Sequence, residues 1–164
     1  MQQIPKHQHQ STKSAPSLAL YIRALDLIAI HDDITAFAAR LEELLECVDF
    51  KKVYIETHRD QKIPDVEVIN QLRAYLAGRG LETAGGITVT VDEMNDFATY
   101  CYSNPDHRRR IKEIVVFTAG LFDEILFDDF FFTNCKCPLC IEAKGPLTWT
   151  DFRLRQMTQA SKEL

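Results

Sequence analysis

Two adjacent acids, Asp128 and Asp129, are the residues of this chain with the greatest potential for chemistry. They close an apolar, β-prone segment that begins at Leu121, and aromatic residues flank them on both sides: Phe127, Phe130, Phe131 and Phe132. Barrel enzymes keep their reactive groups at the carboxyl ends of buried strands. Neighbouring strand residues point to opposite faces, so we expect one acid to face the mouth of the sheet and the other to cap the next turn. We predict that both are catalytic or ligand-binding residues; a structural cap beside a surface acid is the alternative.

A second polar group, Glu56, His58 and Arg59, closes the apolar run that begins at Lys52. If the strands are parallel, this end lies at the same rim as Asp128. The planar guanidinium of Arg59 suits pairing with a carboxylate or clamping a ligand oxygen. We predict that Glu56, His58 and Arg59 contact a substrate, and a solvated loop with a surface ion pair is the alternative.

Two further segments are expected at this rim: the loop from Tyr100 to Asn104 and the polar turn that ends at Asn134. Aromatic and small polar groups suit stacking on the flat face of a ligand such as a sugar, and they equally suit the packing of a lid. Tyr102 and Asn134 are therefore predicted as additional substrate contacts.

Three of the five cysteines, Cys135, Cys137 and Cys140, lie within six residues of one another. Such short spacing is typical of zinc sites, which need four ligands in tetrahedral geometry. A partner or Cys101 would supply the fourth ligand, since no histidine lies within twenty residues of the three. A redox dithiol at Cys137 and Cys140 and a tight loop of free thiols are the alternatives. No cofactor is expected apart from zinc at this cluster.

The elements that must position these residues are four strand-like apolar runs that alternate with helical patterns. The strands start near residues 18, 51, 81 and 123, which is the spacing of βα units. Apolar residues at steps of three and four predict the helices between them, and Thr148 to Asp151 resembles a capping box before a last helix. Strands that alternate with helices predict an α/β fold with a parallel sheet, and both a barrel wall and an open sheet fit this pattern. The third run carries Gly85 and Gly86, where a backbone or ligand is expected to pass close.

The composition describes a single globular domain. The chain has 164 residues, of which 46% are hydrophobic and 26% are charged. We predict a disordered polar tail over residues 1–17 and a (βα)4 unit over residues 18–164. The net charge of −5 argues against a nucleic-acid partner, and no apolar run reaches the roughly 20 residues that cross a bilayer. An odd number of clustered cysteines suits the reducing cytoplasm.

Several segments together resemble the amino-terminal half of a group of largely uncharacterised bacterial proteins, thought to carry a glycoside-hydrolase-like (β/α)8 barrel. These segments are Tyr54–Asp60, Ala84–Thr88, Cys101–Pro105, Phe122–Cys135, Ala143–Gly145 and Trp149–Leu154. Retaining α-glycosidases such as α-galactosidases similarly end their fourth strand in an aspartate, which is their nucleophile. By this resemblance Asp128 takes the nucleophile position and Asp129 follows it.

The resemblance implies four βα units of a TIM-type barrel that act on or bind carbohydrate. A full barrel typically needs about 250 residues, and glycosidases need a second carboxylate, which the analogous enzymes take from later strands. Half a barrel would leave its first and fourth strands as open edges and expose an apolar interior. We therefore expect a fragment that is inactive alone and lacks its carboxyl-terminal half. A homodimer that closes the barrel and an open four-stranded sheet are the alternatives. A non-catalytic carbohydrate-binding or scaffolding domain and a zinc-dependent interaction module are the competing functions.

Overall fold

A computed structural model describes residues 17–30, 34–128 and 131–164 of the chain. Within them, strands and helices alternate along most of the chain. In chain order the elements are β1 (Leu18–Ile22), α1 (Ala24–Ile30), α2 (Thr35–Cys47), β2 (Phe50–His58), α3 (Val66–Gly78), β3 (Glu82–Ile87), β4 (Thr90–Asp92), β5 (Ala98–Thr99), α4 (Pro105–Ala119), β6 (Ile125–Phe127), α5 (Pro138–Lys144) and α6 (Trp149–Glu163). The predicted tail lies outside the described residues, apart from Ser17.

The main sheet has four strands in the order β1-β2-β3-β6, and each neighbouring pair is parallel. The prediction of an α/β fold with a parallel sheet is confirmed. The strand order follows the chain order, so each connection advances to the next strand in one direction. The described strands do not close into a barrel, because β1 and β6 each have a neighbour on only one side. A separate antiparallel pair, β4 and β5, follows β3.

Helices cover one face of the sheet and bury its apolar side chains. Ile22, Val53 and Ile55 of the first two strands pack there in one cluster with Leu41 of α2 and Leu72 of α3. Val53, Ile55 and Leu72 are fully buried. Burial of apolar surface on this side therefore holds the layers together.

The opposite face of the sheet is mainly polar. The Tyr54 hydroxyl donates to Glu124 Oε1 at 2.8 Å, and Lys52 Nζ donates to Glu124 Oε2 at 2.6 Å. On the same face the Tyr21 hydroxyl donates to Glu56 Oε1 at 2.9 Å. Half a barrel was expected to expose an apolar interior, whereas this face of the described strands carries mainly polar side chains. Side chains alternate along a strand, so β2 directs its apolar side chains toward the helices and its polar side chains to this opposite face.

Gly85 and Gly86 allow close approach on both faces of β3, as their pairing in the sequence predicted. A Cβ atom at Gly85 would lie 2.6 Å from Thr118 Cγ2 of α4 and 3.0 Å from Phe122 Cδ2. At Gly86 it would lie 2.7 Å from the Tyr21 hydroxyl oxygen. The first glycine therefore lets α4 pack tightly, and the second admits the Tyr21 ring to the polar face.

Side-chain caps start three of the long helices. Each cap accepts a backbone N–H: Asp65 from Glu67 at 2.8 Å, Asn104 from Asp106 at 2.9 Å, and Thr148 from Asp151 at 3.1 Å. These bonds satisfy donors that a helix amino terminus leaves open. The cap predicted at Thr148 is confirmed.

Short elements account for most differences from the predicted layout. The structure adds α1 directly after β1, the β4–β5 pair between β3 and α4, and α5, which contains Cys140. The fourth main strand, β6, has only three residues. Elements of two to seven residues are too short for hydrophobic periodicity to reveal. None of the described helices is long and apolar enough to span a membrane.

Candidate functional site

The carboxyl ends of β2, β3 and β6 meet at one rim of the sheet. Each of these strands is followed immediately by a polar residue: Arg59, Thr88 and Asp128 respectively. Arg59 Nη2 lies 3.0 Å from Thr88 Oγ1 and 3.2 Å from Asp128 Oδ2. Parallel strands in register bring their ends to the same level, which is why three distant segments converge here.

Glu56 lies beneath this rim and has no exposed surface. Its carboxylate accepts hydrogen bonds from the Tyr21 hydroxyl at 2.9 Å and from the Ala24 backbone N–H at 2.7 Å. Thr88 Oγ1 also donates to it. Arg59 adds a bidentate contact, Nε to Oε2 at 2.9 Å and Nη2 to Oε1 at 2.8 Å. A buried carboxylate requires such donors, and here it anchors the guanidinium.

Arg59 connects the buried acid to the rim. Its guanidinium also donates to Glu93, so it contacts three carboxylates in all. Burial lowers the pKa of Arg59, but the hydrogen bonds and charge of Glu56 outweigh it and raise the pKa above the ordinary value. A tight turn follows, in which Asp60 and Gln61 have φ of 51° and 62°. Positive φ at both central residues is characteristic of a type I′ turn, which fixes the backbone beside Arg59.

Asp128 is the most exposed of the three carboxylates that contact Arg59. Its side chain is 31% exposed, whereas the Arg59 side chain is 10% exposed. Thr88 Oγ1, which donates its hydrogen to Glu56, lies 3.0 Å from Asp128 Oδ2, and the Asp128 backbone N–H donates to the Ile87 carbonyl at 2.9 Å. These contacts orient one carboxylate oxygen. The second predicted acid, Asp129, lies outside the described residues.

His58 is buried on the other side of the sheet from this network. The register of β2 against β3 shifts between Glu56 and His58, so two steps on β2 match one step on β3. Such an irregularity re-aims side chains. His58 Nδ1 contacts the Thr88 carbonyl oxygen at 2.7 Å, and its ring lies 5.8 Å from that of Tyr100. Burial lowers the pKa of His58, and Nε2 has no hydrogen-bond partner among the described residues.

Tyr102 and Asn134 lie around the β4–β5 pair. Tyr102 is buried, and its hydroxyl donates to the Phe131 carbonyl. Burial raises the pKa of Tyr102. Asn134 is exposed; its Nδ2 donates to the Asp96 carbonyl at 3.2 Å, and its Oδ1 accepts from Thr99 Oγ1 at 3.3 Å. Neither residue has a described contact with Asp128. The substrate-binding roles of Glu56, His58, Arg59, Tyr102 and Asn134 stay predictions.

Two residues of the network were not anticipated as site residues. Tyr21 comes from β1, and the alternation of that strand could have placed it on the polar face. Burial and the charge of Glu56 raise the pKa of Tyr21 above its usual range. Glu93 comes from the turn between β4 and β5, and its backbone N–H donates to Asp60 Oδ1 at 3.0 Å. No local pattern in the sequence pointed to Glu93.

A cavity of about 550 Å³ lies along β1, α1 and α2, and Tyr21 of the network forms part of its lining. Its lining is largely apolar and includes Leu20, Ile22 and Phe37, but not Arg59 or Asp128. Convergence of polar groups therefore marks the candidate site better than cavity volume does. An edge strand with one open side leaves a groove of this kind whether or not a ligand binds there.

A second cluster gathers four thiols, from Cys101, Cys135, Cys137 and Cys140. The sulfur atoms all lie within 4.8 Å of one another. Burial raises the pKa of the Cys101 and Cys135 thiols. The Cys140 backbone N–H contributes most to lowering the pKa of Cys137, to about 7. The structure thus brings Cys101 to the three cysteines that the sequence had grouped.

Comparison with known proteins finds a family whose model matches this sequence. Residues 5–164 match the model of a family described as "Probable glycosyl hydrolase, catalytic domain". An uncharacterised protein of Saccharolobus solfataricus is 29% identical over 130 residues, which cover 72% of this chain and 20% of that relative. The chain therefore spans about a fifth of the length of the curated relative it matches. No solved structure matches the chain significantly.

Proposed function

We propose that this chain, which belongs to the probable glycosyl hydrolase catalytic domain family, contributes the nucleophile of an enzyme that hydrolyses glycosidic bonds. Asp128 is the proposed nucleophile. The observation that carries the proposal is the position of its carboxylate: at the end of a parallel strand, partly exposed, and held by Arg59 and Thr88. Reactive groups at the carboxyl ends of barrel strands have this setting.

The proposed chemistry is that of a retaining glycosidase. Asp128 would attack the anomeric carbon, and the bond to the leaving oxygen would break as an acid protonates that oxygen. Water would then hydrolyse the glycosyl–aspartate ester. Asp128 Oδ2 lies 3.2 Å from Arg59 Nη2 and 3.0 Å from Thr88 Oγ1, and these neighbours would fix the carboxylate relative to the substrate. Orientation of this kind lowers the barrier by holding the reacting atoms near their attack geometry.

Glu56 and Arg59 are proposed as positioning residues. Glu56 is fully buried, so it would act through Arg59 and not by touching the sugar. Arg59 in turn bonds Asp128 and Glu93 at the rim. The second carboxylate of the mechanism is proposed to come from the rest of a barrel, since the described sheet has four strands and open edges. Strands from a longer gene product would cover those edges, and a second copy of the chain is the alternative.

Substitution Asp128→Asn in the complete gene product tests the nucleophile. The amide keeps the shape of the side chain but cannot attack the sugar, so hydrolysis of a panel of aryl α- and β-glycosides should fall by several orders of magnitude. Asp123→Asn is the matched control, because Asp123 is an exposed aspartate on the same connection before β6.

Covalent labelling supplies the second measurement. A slow 2-deoxy-2-fluoro glycoside of the hydrolysed sugar should form an ester on Asp128 that peptide mass spectrometry locates. Hydrolysis by Asp128→Asn at the wild-type rate would remove Asp128 from the mechanism. Sugar binding without hydrolysis by the wild-type protein would favour the non-catalytic carbohydrate-binding domain instead.

A further inference from the structure

We propose that Cys101, Cys135, Cys137 and Cys140 bind one Zn²⁺ ion in a closed structural site. The site is separate from the Asp128 rim and does not depend on the proposed hydrolysis. Cys101 Sγ lies 3.6 Å from Cys137 Sγ and 3.4 Å from Cys140 Sγ. These contacts join the loop before α4 to a segment that follows 34 or more residues later.

The separation of the sulfur atoms suits a tetrahedral metal. A zinc–thiolate bond of about 2.3 Å places neighbouring sulfur atoms of a regular tetrahedron about 3.8 Å apart. The sulfur–sulfur separations of 3.4 and 3.6 Å are close to that spacing. Small movements of four side chains would therefore accommodate the ion.

The donor set selects the metal and the type of site. Thiolates are soft ligands that favour zinc among the common divalent ions of cells. Four protein ligands leave no open coordination position, so the site would be structural and not catalytic. Cys101 and Cys140 are buried, and Phe152, Leu147 and Trp149 pack against the cluster. An apolar shell of this kind keeps water from the thiolates.

Cations around the cluster suit its charge. Four thiolates with one Zn²⁺ carry a net charge of −2, which needs compensation in a partly buried setting. The Arg153 guanidinium contacts Cys140 Sγ at 3.9 Å and lies 5.0 Å from the Trp149 ring centroid. Lys136 and Lys144 lie 5.7 and 5.5 Å from the same centroid. The three positive side chains thus surround the aromatic ring that packs on the cysteines.

The ion would tie together loops that lead to the rim. Thr133 lies two residues before Cys135, and its Oγ1 is 3.0 Å from Thr99 Oγ1 of the β4–β5 pair. The segment that holds three of the cysteines begins a few residues after Asp128. Zinc would therefore hold the connection after β6 against the connection before α4.

Metal analysis of the chain, purified under reducing conditions without a polyhistidine tag, tests the proposal. We expect about one zinc ion per chain after dialysis, and a visible spectrum of tetrahedral cobalt–thiolate type when Co²⁺ replaces it. Cys101→Ser should lose the ion on dialysis against a chelator that leaves the wild-type site filled. Cys47→Ser is the matched control, since Cys47 is exposed and lies outside the cluster.

Cys137→Ser provides a second ligand variant if Cys101→Ser does not fold, because Cys137 is less buried. It should likewise lose zinc while Cys47→Ser keeps it. The cobalt spectrum of the wild-type chain tests the site without depending on the folding of any variant. Zinc content near zero in the reduced wild type, iron in its place, or unchanged zinc in Cys101→Ser or Cys137→Ser would each overturn the assignment.

Discussion

Removal of the Arg59 side chain should destabilise the chain far more than removal of an exposed arginine. In Arg59→Leu the Glu56 carboxylate, which has no exposed surface, would keep only uncharged donors from Tyr21, Ala24 and Thr88. Breaking a buried ion pair at one partner costs about 3–5 kcal/mol. The surviving donors place the expected loss near the lower end, at about 3 kcal/mol. Domains of this type are stable by about 5–15 kcal/mol, so the variant should still fold.

Urea unfolding followed by circular dichroism measures this loss. With a slope of about 1–3 kcal/mol per molar urea, the unfolding midpoint of Arg59→Leu should fall by roughly 1–3 M. The control is Arg109→Leu, whose side chain is 68% exposed in its pair with Asp106. That surface pair should contribute at most about 1 kcal/mol.

A double variant separates the ion pair from simple packing. Glu56→Gln with Arg59→Leu removes both charges and keeps an acceptor for Tyr21, so it should be more stable than Arg59→Leu alone. Equal midpoints for Arg59→Leu and Arg109→Leu would refute the argument. So would a double variant that is no more stable than the single one, since the uncompensated Glu56 charge would then not be the cause.

Two further substitutions probe the packing beneath the rim. Gly86→Ala should lower the free energy of unfolding by about 1–3 kcal/mol, because the added Cβ would lie 2.7 Å from the Tyr21 hydroxyl oxygen. Gly78→Ala is the control, since a Cβ there would have no neighbour within 4 Å. Equal thermal midpoints for the two variants would contradict the close approach at Gly86. The second substitution concerns His58, whose pKa burial lowers below 6.5. The unfolded chain therefore binds a proton at this residue more readily than the folded chain, and the free energy of unfolding should decline as the pH falls below about 6.5. His58→Asn should show less of this decline in urea unfolding at stepwise pH, and identical pH profiles would exclude His58 as its source.

The main features of the fold were predictable from the sequence because they rest on local patterns. Runs such as that ending at Glu56 alternate with helical stripes, which predicts parallel βα units without knowledge of any contact. The cap at Thr148 and the close approach at Gly85 and Gly86 followed from single residue types. The polar face was not anticipated, because hydrophobic runs do not reveal which half of each strand turns toward the helices.

The candidate site was only partly predictable. Arg59 and Asp128 were predicted to lie at one rim because each follows a strand. In the structure Arg59 Nη2 lies 3.2 Å from Asp128 Oδ2. The same reasoning placed His58 at the rim, but a register shift between β2 and β3 turns its side chain to the opposite face of the sheet. Such a shift depends on how two strands pair, and no single strand encodes it.

By itself, the sequence determined the order of the four main strands and the long helices and the types of residue at each strand end, because propensity and periodicity act over a few neighbouring residues. Only the tertiary structure decided which of those residues meet. It turned His58 away from the rim, placed Tyr21 on Glu56, and brought Cys101 within 3.4 Å of Cys140. Each of these outcomes joins segments more than twenty residues apart, and it is the packing of the whole sheet and its helices that sets such distances.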